Sequence, residues 1–551
     1  MKKDLITVSL GRRRIELAKG TLVGELAAMV PEAKDAVVAR VDNDVMGYQF
    51  ALTEDCWVEF LNTNSEEGMR AYRASLVFLF VRAALEVLPG STVHIQHSLN
   101  NGLYGEIEYE EPVIERDIMA IEERMRELVA QDIPFGRRTV PVDEAKRIYA
   151  EQGFADKLRL LEQYTGEAVT LYNFGWLHDY LSSILVAGTG VLQHFKLRYY
   201  LPGFILEYPR RHAPSRIQKY VEQGKLFNVF FKAARWQDNL GIPDVASLNE
   251  CIRRGGFNDL VYVSEAYHEN QISEIARQIA RDRDRLRVIL IAGPSSSGKT
   301  TFAQRLSVQL RVDGLQPVAI GLDNYFVDRH LTPRDEDGNA DFEALEAIDI
   351  ELFNEHLTKL IQGDEVEIPT FDFITGSRKW NGRKLKIRAD QPIIIEGIHG
   401  LNDRLTSSIP KGRKFKIYIS ALTNLNLDHH TRISTTDVRM LRRLIRDNQF
   451  RGHDAKATID RWPLVTRGEH RHIFPFQEDA DVMFNSTLVY ELAVLRPLAE
   501  ELLTGITPAD RQFATAKRLL RFLSHFDAVH DIDVIPCNSI LMEFIGGSCF
   551  E

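Results

Sequence analysis

The stretch RVILIAGPSSSGKTTFAQRL, residues 287–306, decides the fold of this part of the chain. Its apolar run, Val288–Ala292, predicts a buried strand, and the glycine-bounded loop that follows matches the pattern GxxxxGK[ST]. Glycines permit backbone angles that a Cβ would penalise, so successive N–H groups can turn inward around a phosphate. The stretch therefore predicts a P-loop between a strand and a helix.

Each polar residue of the loop has a physical task. Lys299 supplies a positive charge for the β- and γ-phosphates of a nucleotide, and Thr300 offers a hydroxyl to Mg²⁺. The helix that begins there directs the positive end of its dipole at the anion, and Phe302, Leu306 and Leu310 give it an apolar face. The residues expected to bind the nucleotide here are Gly293, Pro294, Ser295, Ser296, Ser297, Gly298, Lys299, Thr300 and Thr301.

The composition is that of a globular protein with several domains. The chain has 551 residues, of which 44% are hydrophobic and 26% charged, and no apolar run approaches the roughly 18 residues that span a bilayer. The first residues lack the apolar core of a signal peptide, and the four cysteines are far apart in sequence. A cytoplasmic location without membrane contact is predicted. A net charge of −10 argues against a surface that binds nucleic acid throughout.

Residues 287–490 alternate apolar strands with segments of helical period, which predicts an α/β fold with a parallel sheet covered by helices. Ligands of such sheets lie at the carboxyl ends of the strands. Asp323 follows the strand PVAIG, and Glu396 ends the strand PIIIEG. Asp323 is therefore a candidate to meet a substrate hydroxyl, and Glu396 a candidate to hold Mg²⁺ with Thr300.

Six ordered motifs, GPSSSGKTT, LDNYF, ADFEALEAID, FDFITGSR, EGI and DVRMLRRLIRD, resemble those of the uridine kinase and phosphoribulokinase family. The resemblance covers essentially all of residues 287–490 and implies ATP and Mg²⁺ as cofactors. It implies that Asp323 is the catalytic base, assisted by Lys299 and Arg446. Further positions implied by the motifs are Arg443 and Arg451 for the nucleotide, and Tyr325, Phe342, Glu343, Phe371, Arg378 and Arg439 for the substrate.

Two departures from the family pattern concern the acceptor. Phe371 stands where the family has a tyrosine, and Gly376 where it has the histidine that contacts the pyrimidine, although Arg378 is retained. Loss of polar contacts to a base should relax or change the choice of base. The segment NLNLDHHTRISTT before the arginine-rich helix also looks longer than in the family. Its His429 and His430 are either substrate contacts or solvated loop residues.

The N-terminal half resembles two domains of threonyl-tRNA synthetases. Residues 1–62 resemble a TGS domain, a small β-grasp unit, and residues 63–215 resemble the α+β domain that clears mischarged tRNA in that family. The polar site of that domain is absent: its ligand positions hold Ala74, Phe78, Leu181 and Leu185. Apolar side chains can neither bind zinc nor move a proton, so we expect an editing fold without zinc or deacylation activity.

Two groups of basic residues in this half have open interpretations. His94 and His97 lie three apart in the strand-like run STVHIQH, which predicts rings on opposite faces of a strand. The cluster Arg210, Arg211, His212, Arg216 and Lys219 either contacts RNA phosphates weakly or forms a solvated linker.

The predicted domains are 1–62, 63–215, a helical connector 216–284, a kinase-like domain 285–495, and a C-terminal extension 496–551 with a helix and a last strand-like run, NSILMEFIGG. The resemblance favours an ATP-dependent kinase acting on a hydroxyl of a nucleoside or another ribose-containing small molecule. The alternatives are a phosphoribulokinase-like sugar or sugar-phosphate kinase and an RNA-associated nucleotide-sensing regulator. Oligomer formation is compatible with the sequence.

Overall fold

The computed structural model describes residues 4–180, 183–334, 338, 340–372 and 375–550. The chain opens with a five-stranded sheet of order β2-β1-β5-β3-β4 and one helix over a core that contains Val8, Val23 and Leu26. This strand–strand–helix arrangement is the predicted β-grasp unit. Its elements are β1 Leu5–Leu10, β2 Arg13–Ala18, α1 Val23–Met29, β3 Ala36–Val41, β4 Asp44–Met46 and β5 Cys56–Asn62.

The second unit places a long buried helix against two antiparallel sheets, β11-β12-β7-β6 and β10-β9-β8. This is the predicted α+β organisation. Its elements are α2 Glu66–Val87, β6 Thr92–Leu99, β7 Gly102–Glu108, α3 Glu115–Ala130, β8 Gly136–Pro141, α4 Val142–Gln152, α5 Ala155–Glu162, β9 Ala168–Phe174, β10 Leu177–Asp179, β11 Lys196–Tyr200 and β12 Gly203–Glu207.

Apolar packing fills the positions at which a synthetase editing site would have its ligands. The Phe78 ring lies 5.8 Å from the rings of both Phe135 and Phe174, and Leu185 is buried in the same core. Ala74 packs against that core, while Leu181 lies outside the described residues. Among the described residues, no group of three or more His, Cys, Asp or Glu side chains could hold a metal ion.

Strand β6 contains an irregularity that the sequence does not reveal. Its register against β7 shifts between Ile95 and His97, so Val93 and Ile95 pack into one core and Leu99 into another. Such a bulge interrupts the two-residue alternation of side chains. His94 and His97 consequently line one cavity, and the expectation that they lie on opposite faces is wrong.

Helices connect the second unit to a five-stranded, wholly parallel sheet of order β14-β19-β13-β20-β21. The strands predicted at Val288–Ala292, PVAIG and PIIIEG are three of these five. The elements are α6 Gly224–Asn239, α7 Val245–Arg253, α8 Phe257–Arg281, β13 Val288–Ala292, α9 Lys299–Val312, β14 Val318–Gly321, α10 Ile350–Gln362, β15 Val366–Glu367, β16 Thr370–Asp372, β17 Ser377–Lys379, β18 Lys384–Leu385, β19 Ile393–Glu396, β20 Lys414–Ser420, α11 Thr435–Arg451, α12 Ala455–His472 and β21 Val482–Asn485.

Helices cover both faces of this sheet. On one face α8 and α9 pack through residues such as Ile275, Phe302 and Leu306, and on the other α10 packs through Phe353 and Leu357. All five side chains are buried. Phe302 and Leu306 belong to the apolar face that was predicted for the P-loop helix α9. The prediction of an α/β fold with a parallel sheet covered by helices is confirmed. Among the described residues, no helix is long and apolar enough to cross a membrane.

The chain ends in three further helices, α13 Glu491–Thr504, α14 Phe513–Leu523 and α15 Met542–Ile545. The run NSILMEFIGG, expected as a strand, instead contains α15, which packs against α11. Phe544 is fully buried and Ile540 packs at the start of α9, so tertiary packing decides the conformation of this short apolar run. The domain boundaries themselves stay a prediction.

The segment before α11 joins the two halves of the chain. His430 Nδ1 lies 2.8 Å from Asp179 Oδ2, and the backbone N–H of His429 donates to Asp156 Oδ2 at 2.8 Å. Lys157 Nζ lies 2.9 Å from Asp428 Oδ1. Both residues therefore contact the N-terminal half. His430 is buried there, so the expectation of a solvated loop histidine is wrong for this residue.

Candidate active site

The loop between β13 and α9 has the backbone geometry of an anion cradle. Ser296 and Gly298 have φ angles of +59° and +83°, in the left-handed region where consecutive N–H groups can converge. At Gly293 a Cβ would lie 2.0 Å from the carbonyl oxygen of Ile419 on β20, so only glycine fits. The two glycines that define the motif are therefore required, one by close approach and one by φ.

Side chains of this loop are arranged around an open anion site. Lys299 Nζ donates to the carbonyl oxygen of Pro294 at 3.1 Å, across the mouth of the loop. Ser296 Oγ and Ser297 Oγ are buried and have no hydrogen-bond partner among the described residues. Unsatisfied buried hydroxyls call for a ligand or water. The loop thus fits a phosphate group.

A hydroxyl and a carboxylate meet beside the loop. Thr300 Oγ1 donates to Glu396 Oε1 at the carboxyl end of β19, over 3.1 Å. Burial raises the pKa of Glu396 to about 7; Lys299 opposes this shift, whereas Asp323 and Glu543 add to it. Hard oxygen ligands of this kind suit Mg²⁺, which keeps several waters and phosphate oxygens in its coordination sphere. Thr300 and Glu396 are therefore the residues that could hold it.

Asp323 lies in a single 3₁₀ turn, Leu322–Tyr325, directly after β14. Burial raises the pKa of Asp323, and the charges of Lys299 and Arg451 oppose the shift. The fold thus brings Lys299, Asp323 and Glu396, which come from three separate motifs, to the same edge of the sheet. Tyr325, in contrast, is fully buried, with its hydroxyl 3.1 Å from His356 Nδ1.

Arg378 fixes the segment that carries Asp323. Its guanidinium donates to the carbonyl oxygen of Phe326 at 3.1 Å and to Asp349 Oδ2 at 2.9 Å. Phe371 stacks edge-to-face with Phe326, the ring centroids being 5.6 Å apart. Arg378 and Phe371 thus hold Phe326 and the segment that follows Asp323 in place, and these residues form one wall beside the site. A substrate contact by Arg378 would come in addition to its hydrogen bonds within this wall.

Phe342 and Glu343, which are adjacent in the sequence, have contrasting environments. Phe342 is 46% exposed, whereas Glu343 packs closely against Gly468 on α12. Burial and the nearby Glu469 raise the pKa of Glu343 to about 7. Gly376 has a φ of +67°, and a Cβ there would lie 2.6 Å from Arg329 Nε. The glycine that replaces the family histidine is thus required by the local backbone.

The arginines of α11 lie over the P-loop. Arg443 donates to Ser295 Oγ at 2.8 Å and Arg442 to the carbonyl oxygen of Ser296 at 3.4 Å. Arg439 is buried and forms a two-pronged ion pair with Glu469. A substrate contact by Arg439 would require this pair to open.

Three arginines gather around one carboxylate on the same helix. Arg446 Nη2 lies 2.8 Å from Asp447 Oδ1, Arg443 Nε 3.1 Å from Asp447 Oδ2, and Arg451 Nε 3.7 Å from Asp447 Oδ1. These arginines lower the pKa of Asp447 despite its burial. Asp447 therefore keeps Arg443, Arg446 and Arg451 together as one positively charged group.

Two carboxylates that sequence reasoning missed bind the P-loop itself. Glu469 Oε1 accepts a hydrogen bond from the backbone N–H of Ser295 at 3.0 Å. Glu543, in the C-terminal extension, accepts from the N–H and the hydroxyl of Thr301 at 3.1 and 2.8 Å. Ile540 covers Gly298, whose Cβ would lie 2.4 Å from Ile540 Cγ2. These residues come from distant segments without a motif, so no sequence signal marks them.

The parallel sheet, the phosphate loop and the acidic strand ends define a P-loop nucleotide-binding domain. Residues 288–493 match the model of the family described as Phosphoribulokinase / Uridine kinase family, in agreement with the resemblance of their motifs. A solved structure described as a possible uridine kinase from Bacillus stearothermophilus has 20% sequence identity and a TM-score of 0.27, covering 39% of this chain and 98% of that one.

The N-terminal half matches threonine–tRNA ligases. The chain is 31% identical over 188 residues to the ligase of Rubrobacter xylanophilus, covering 34% of this chain and 29% of the ligase. It is 30% identical over 185 residues to threonine–tRNA ligase 1 of Bacillus subtilis, covering 33% and 29%. The chain thus spans less than a third of the length of these relatives. The predicted resemblance of both halves is confirmed.

Proposed function

We propose that this protein is an ATP- and Mg²⁺-dependent kinase that phosphorylates a hydroxyl of a nucleoside or a related ribose-containing small molecule. The observation that carries the proposal is the convergence of Lys299, Asp323 and Glu396 at one edge of the parallel sheet, beside a loop shaped for phosphate. A mere nucleotide sensor needs the lysine and the metal ligand. It does not need a second carboxylate at a strand end beside the lysine.

The loop and its helix would hold the triphosphate of ATP. Backbone N–H groups of residues 296–298 and the Lys299 ammonium would bind the phosphates, while Thr300 and Glu396 hold the metal ion. Bound Mg²⁺ would neutralise charge on the phosphates. Arg443, Arg446 and Arg451 would stabilise the charge that spreads over the transferred group, and Asp447 keeps them in place.

Asp323 would bind and orient the acceptor. Its carboxylate can accept a hydrogen bond from an alcohol and take the proton as the oxygen attacks phosphorus. The raised pKa of Asp323 strengthens it as a base, and the charges of Lys299 and Arg451 oppose the shift. The proton would thus move from the substrate hydroxyl to Asp323 Oδ.

The acceptor would lie against the wall formed by Phe326, Phe371 and Glu343. A partly exposed aromatic surface and a carboxyl suit a ribose with its flat base, and Glu343 could accept hydrogen bonds from ribose hydroxyls. Gly376 offers no side chain to read a base edge. We therefore expect weak discrimination among bases, with a sugar or sugar phosphate as the second candidate class.

A substrate panel tests this proposal. The full-length protein is given ATP, Mg²⁺ and one of uridine, cytidine, adenosine, guanosine, ribose or ribulose 5-phosphate, and ADP release is measured. Release that depends on nucleosides supports the proposal. Release that depends only on the sugar or sugar phosphate would favour the phosphoribulokinase-like alternative, and acceptor-independent binding of ATP without turnover would favour a nucleotide-sensing regulator.

We propose no chemistry for the N-terminal half. Its editing-site positions are filled by Phe78 and Leu185, so we expect neither a stoichiometric zinc ion nor deacylation of mischarged tRNA. The exposed basic residues Arg211, Arg216 and Lys219 could still contact RNA phosphates weakly. Elemental analysis and a filter-binding assay with tRNA address these two points.

A further inference from the structure

The C-terminal extension reaches the phosphate loop with one charged side chain, Glu543. This residue lies in α15, a single helical turn that follows residues 524–541, which form no helix or strand, and precedes Gly546 and Gly547. Glu543 Oε2 accepts a hydrogen bond from the backbone N–H of Thr301 at 3.1 Å and another from the Thr301 hydroxyl at 2.8 Å. One carboxylate oxygen thus takes both polar donors of Thr301.

The N–H of Thr301 is one of the groups with which this loop can bind phosphate. The first N–H groups of a helix have no carbonyl within the helix to donate to, and Thr301 is the third residue of α9. The N–H of Phe302 is the next along the helix, and it donates to the carbonyl oxygen of Gly298 at 3.0 Å. Open N–H groups at the start of a helix bind phosphate and carboxylate alike, because both are anions. Glu543 therefore occupies a donor of the anion site.

Apolar packing seats the backbone around Glu543 on the loop. Ile540 is fully buried, and its Cγ2 would lie 2.4 Å from a Cβ at Gly298. Phe544 is also fully buried, in the same apolar core as Ile540. Glu543 itself is only partly buried. Its side chain can therefore leave Thr301 by rotation about its own bonds, while the backbone of α15 stays packed.

The charge of Glu543 is not neutralised by a cationic partner. Among the described residues, Glu543 forms no ion pair with a lysine or an arginine, whereas Glu469, the other carboxylate on the loop, is paired with Arg439. Burial raises the pKa of Glu396, and the charge of Glu543 adds to this shift, so Glu543 acts on the carboxylate that is assigned to the metal. A phosphate placed beside Thr301 would therefore meet an uncompensated negative charge.

We propose that Glu543 is a built-in competitor of the nucleotide, bound to the donors of Thr301 until a phosphate displaces it. This inference rests on the proposed function only in requiring that the loop binds a nucleotide. Two acceptors cannot both take one N–H with good geometry, and like charges repel over the short distances of the site. Displacing Glu543 therefore uses part of the binding free energy of ATP. In this way the C-terminal extension sets the affinity of the loop for nucleotides.

Two other roles for Glu543 predict different changes in affinity. If the carboxylate only held the loop in shape, its removal would leave the loop less ordered and would weaken nucleotide binding. If it bound Mg²⁺, its removal would weaken binding of the Mg²⁺ complex and leave binding in EDTA unchanged. Removal of a competitor strengthens binding in both conditions. The sign of the change, with and without Mg²⁺, therefore separates the three roles.

Isothermal titration of the full-length protein with ADP, once in MgCl₂ and once in EDTA, tests the proposal. Glu543→Gln keeps the shape of the side chain and removes its charge, and Glu543→Ala also frees the donors of Thr301. Both variants should bind ADP about 5- to 30-fold more tightly than the parent protein in both buffers, because one charge repulsion near the protein surface is relieved. Glu501→Gln, at an exposed position on α13, is the matched control and should bind ADP as the parent does.

Equal or weaker ADP binding by both Glu543 variants, with normal binding by the parent, would overturn the proposal and leave the proposed kinase function in place. Weaker binding in MgCl₂ alone would also overturn it and would assign Glu543 to the metal. Absence of ADP binding by the parent and by both variants would overturn the proposal together with the nucleotide site. Melting temperatures measured alongside identify a folding defect, and the two variants differ in size, so a defect in one leaves the other as the test.

Discussion

At the scale of single residues, Lys299 is the side chain on which phosphate binding depends most. Its ammonium lies over the loop, where it donates to the carbonyl oxygen of Pro294 at 3.1 Å, and it contributes little to the core. Lys299→Ala should therefore abolish turnover, while the melting temperature stays within a few degrees of the parent. Lys386→Ala, at an exposed position away from the loop, is the control for the loss of one lysine. Undiminished kcat in Lys299→Ala would remove the P-loop from the mechanism.

Asp323 gives a second prediction at this scale. Asparagine keeps the shape of the side chain but cannot accept the proton of the acceptor hydroxyl, so Asp323→Asn should lower kcat by about 10²–10⁴-fold with near-normal ATP affinity. Single-turnover rates and ATP titrations measure the two quantities separately. Asp364→Asn, on the exposed surface after α10, should behave as the parent.

A different pattern would reassign Asp323. If it were chiefly a metal ligand, ATP·Mg affinity would fall in step with kcat, and Glu396→Gln would have the same phenotype. The short distance between Thr300 Oγ1 and Glu396 is the reason for assigning the metal to Glu396 instead. Comparing the two variants in parallel therefore decides which carboxylate has which role.

The sequence predicted the residues of this site as far as they belong to motifs. Gly293, Gly298 and Lys299 are set by the loop itself, whose geometry tolerates few alternatives. Glu469 and Glu543 could not be predicted, because each reaches the loop from a distant segment by tertiary packing. A motif reveals the residues that lie close together in the sequence. The distant residues that hold the motif in place can be identified only from the three-dimensional structure.

At the scale of elements, the packing of Glu343 against α12 makes stability depend on pH. Burial raises the pKa of Glu343 to about 7, above the value of about 4.5 expected in the unfolded chain. Between these values the folded state keeps a proton that the unfolded state has lost, so this contribution to stability is present at low pH and is lost as pH rises through 7.

Glu343→Gln removes this dependence. Relative to the variant, the parent protein should lose about 1–3 kcal/mol of unfolding free energy between pH 5 and pH 8, once partial exposure is discounted. Urea unfolding at the two pH values measures it. Glu351→Gln, at an exposed position on α10, is the control and should show the same pH dependence of unfolding free energy as the parent. If Glu343→Gln also showed the pH dependence of the parent, the raised pKa of a buried Glu343 carboxyl would be contradicted.

Among the elements, the strands of the parallel sheet were predicted more reliably than the irregular features. Runs such as Val288–Ala292 and the three isoleucines at 393–395 are apolar throughout because the sheet is buried on both faces. The bulge in β6 cannot be recognised from the alternation of residues in the sequence, so the prediction that His94 and His97 lie on opposite faces of the strand was wrong. The run around Phe544 was taken for a strand because short apolar runs fit either conformation.

At the scale of the whole molecule, a buried ionic cluster ties the synthetase-like half to the kinase-like half. Lys157 Nζ lies 2.7 Å from Asp179 Oδ1 and 2.9 Å from Asp428 Oδ1, and all three side chains are almost fully buried. Asp179 belongs to the N-terminal half and Asp428 to the segment before α11. Lys157 is therefore the shared partner of two carboxylates from opposite sides of the junction.

Lys157→Met should destabilise the protein by about 3–5 kcal/mol, because it leaves two buried carboxylates without their cation. Differential scanning calorimetry measures the loss as a lower melting temperature. Lys196→Met, on the exposed side of β11, controls for the removal of a lysine from the same half. Equal melting temperatures for Lys157→Met and the parent would show that the junction does not depend on this cluster.

The sequence did not predict this junction. The segment NLNLDHHTRISTT was interpreted as longer than in the family, with its two histidines either contacting substrate or solvated, because the sequence places it directly before the arginine-rich helix. In the structure its polar residues meet partners more than 200 positions away, such as Asp428 with Lys157 and His430 with Asp179. Long-range ionic pairs of this kind have no local sequence signature.

The central claim, phosphoryl transfer from ATP to a ribose-containing acceptor at Asp323, is tested most directly by following the γ-phosphate. The full-length protein is incubated with Mg²⁺, ATP labelled at the γ-phosphate and uridine, and the products are separated. The account predicts label on the nucleoside, in an amount equal to the ADP formed, with neither product from Lys299→Ala. Label that remains in ATP, or appears only as inorganic phosphate, with every nucleoside tried would contradict it.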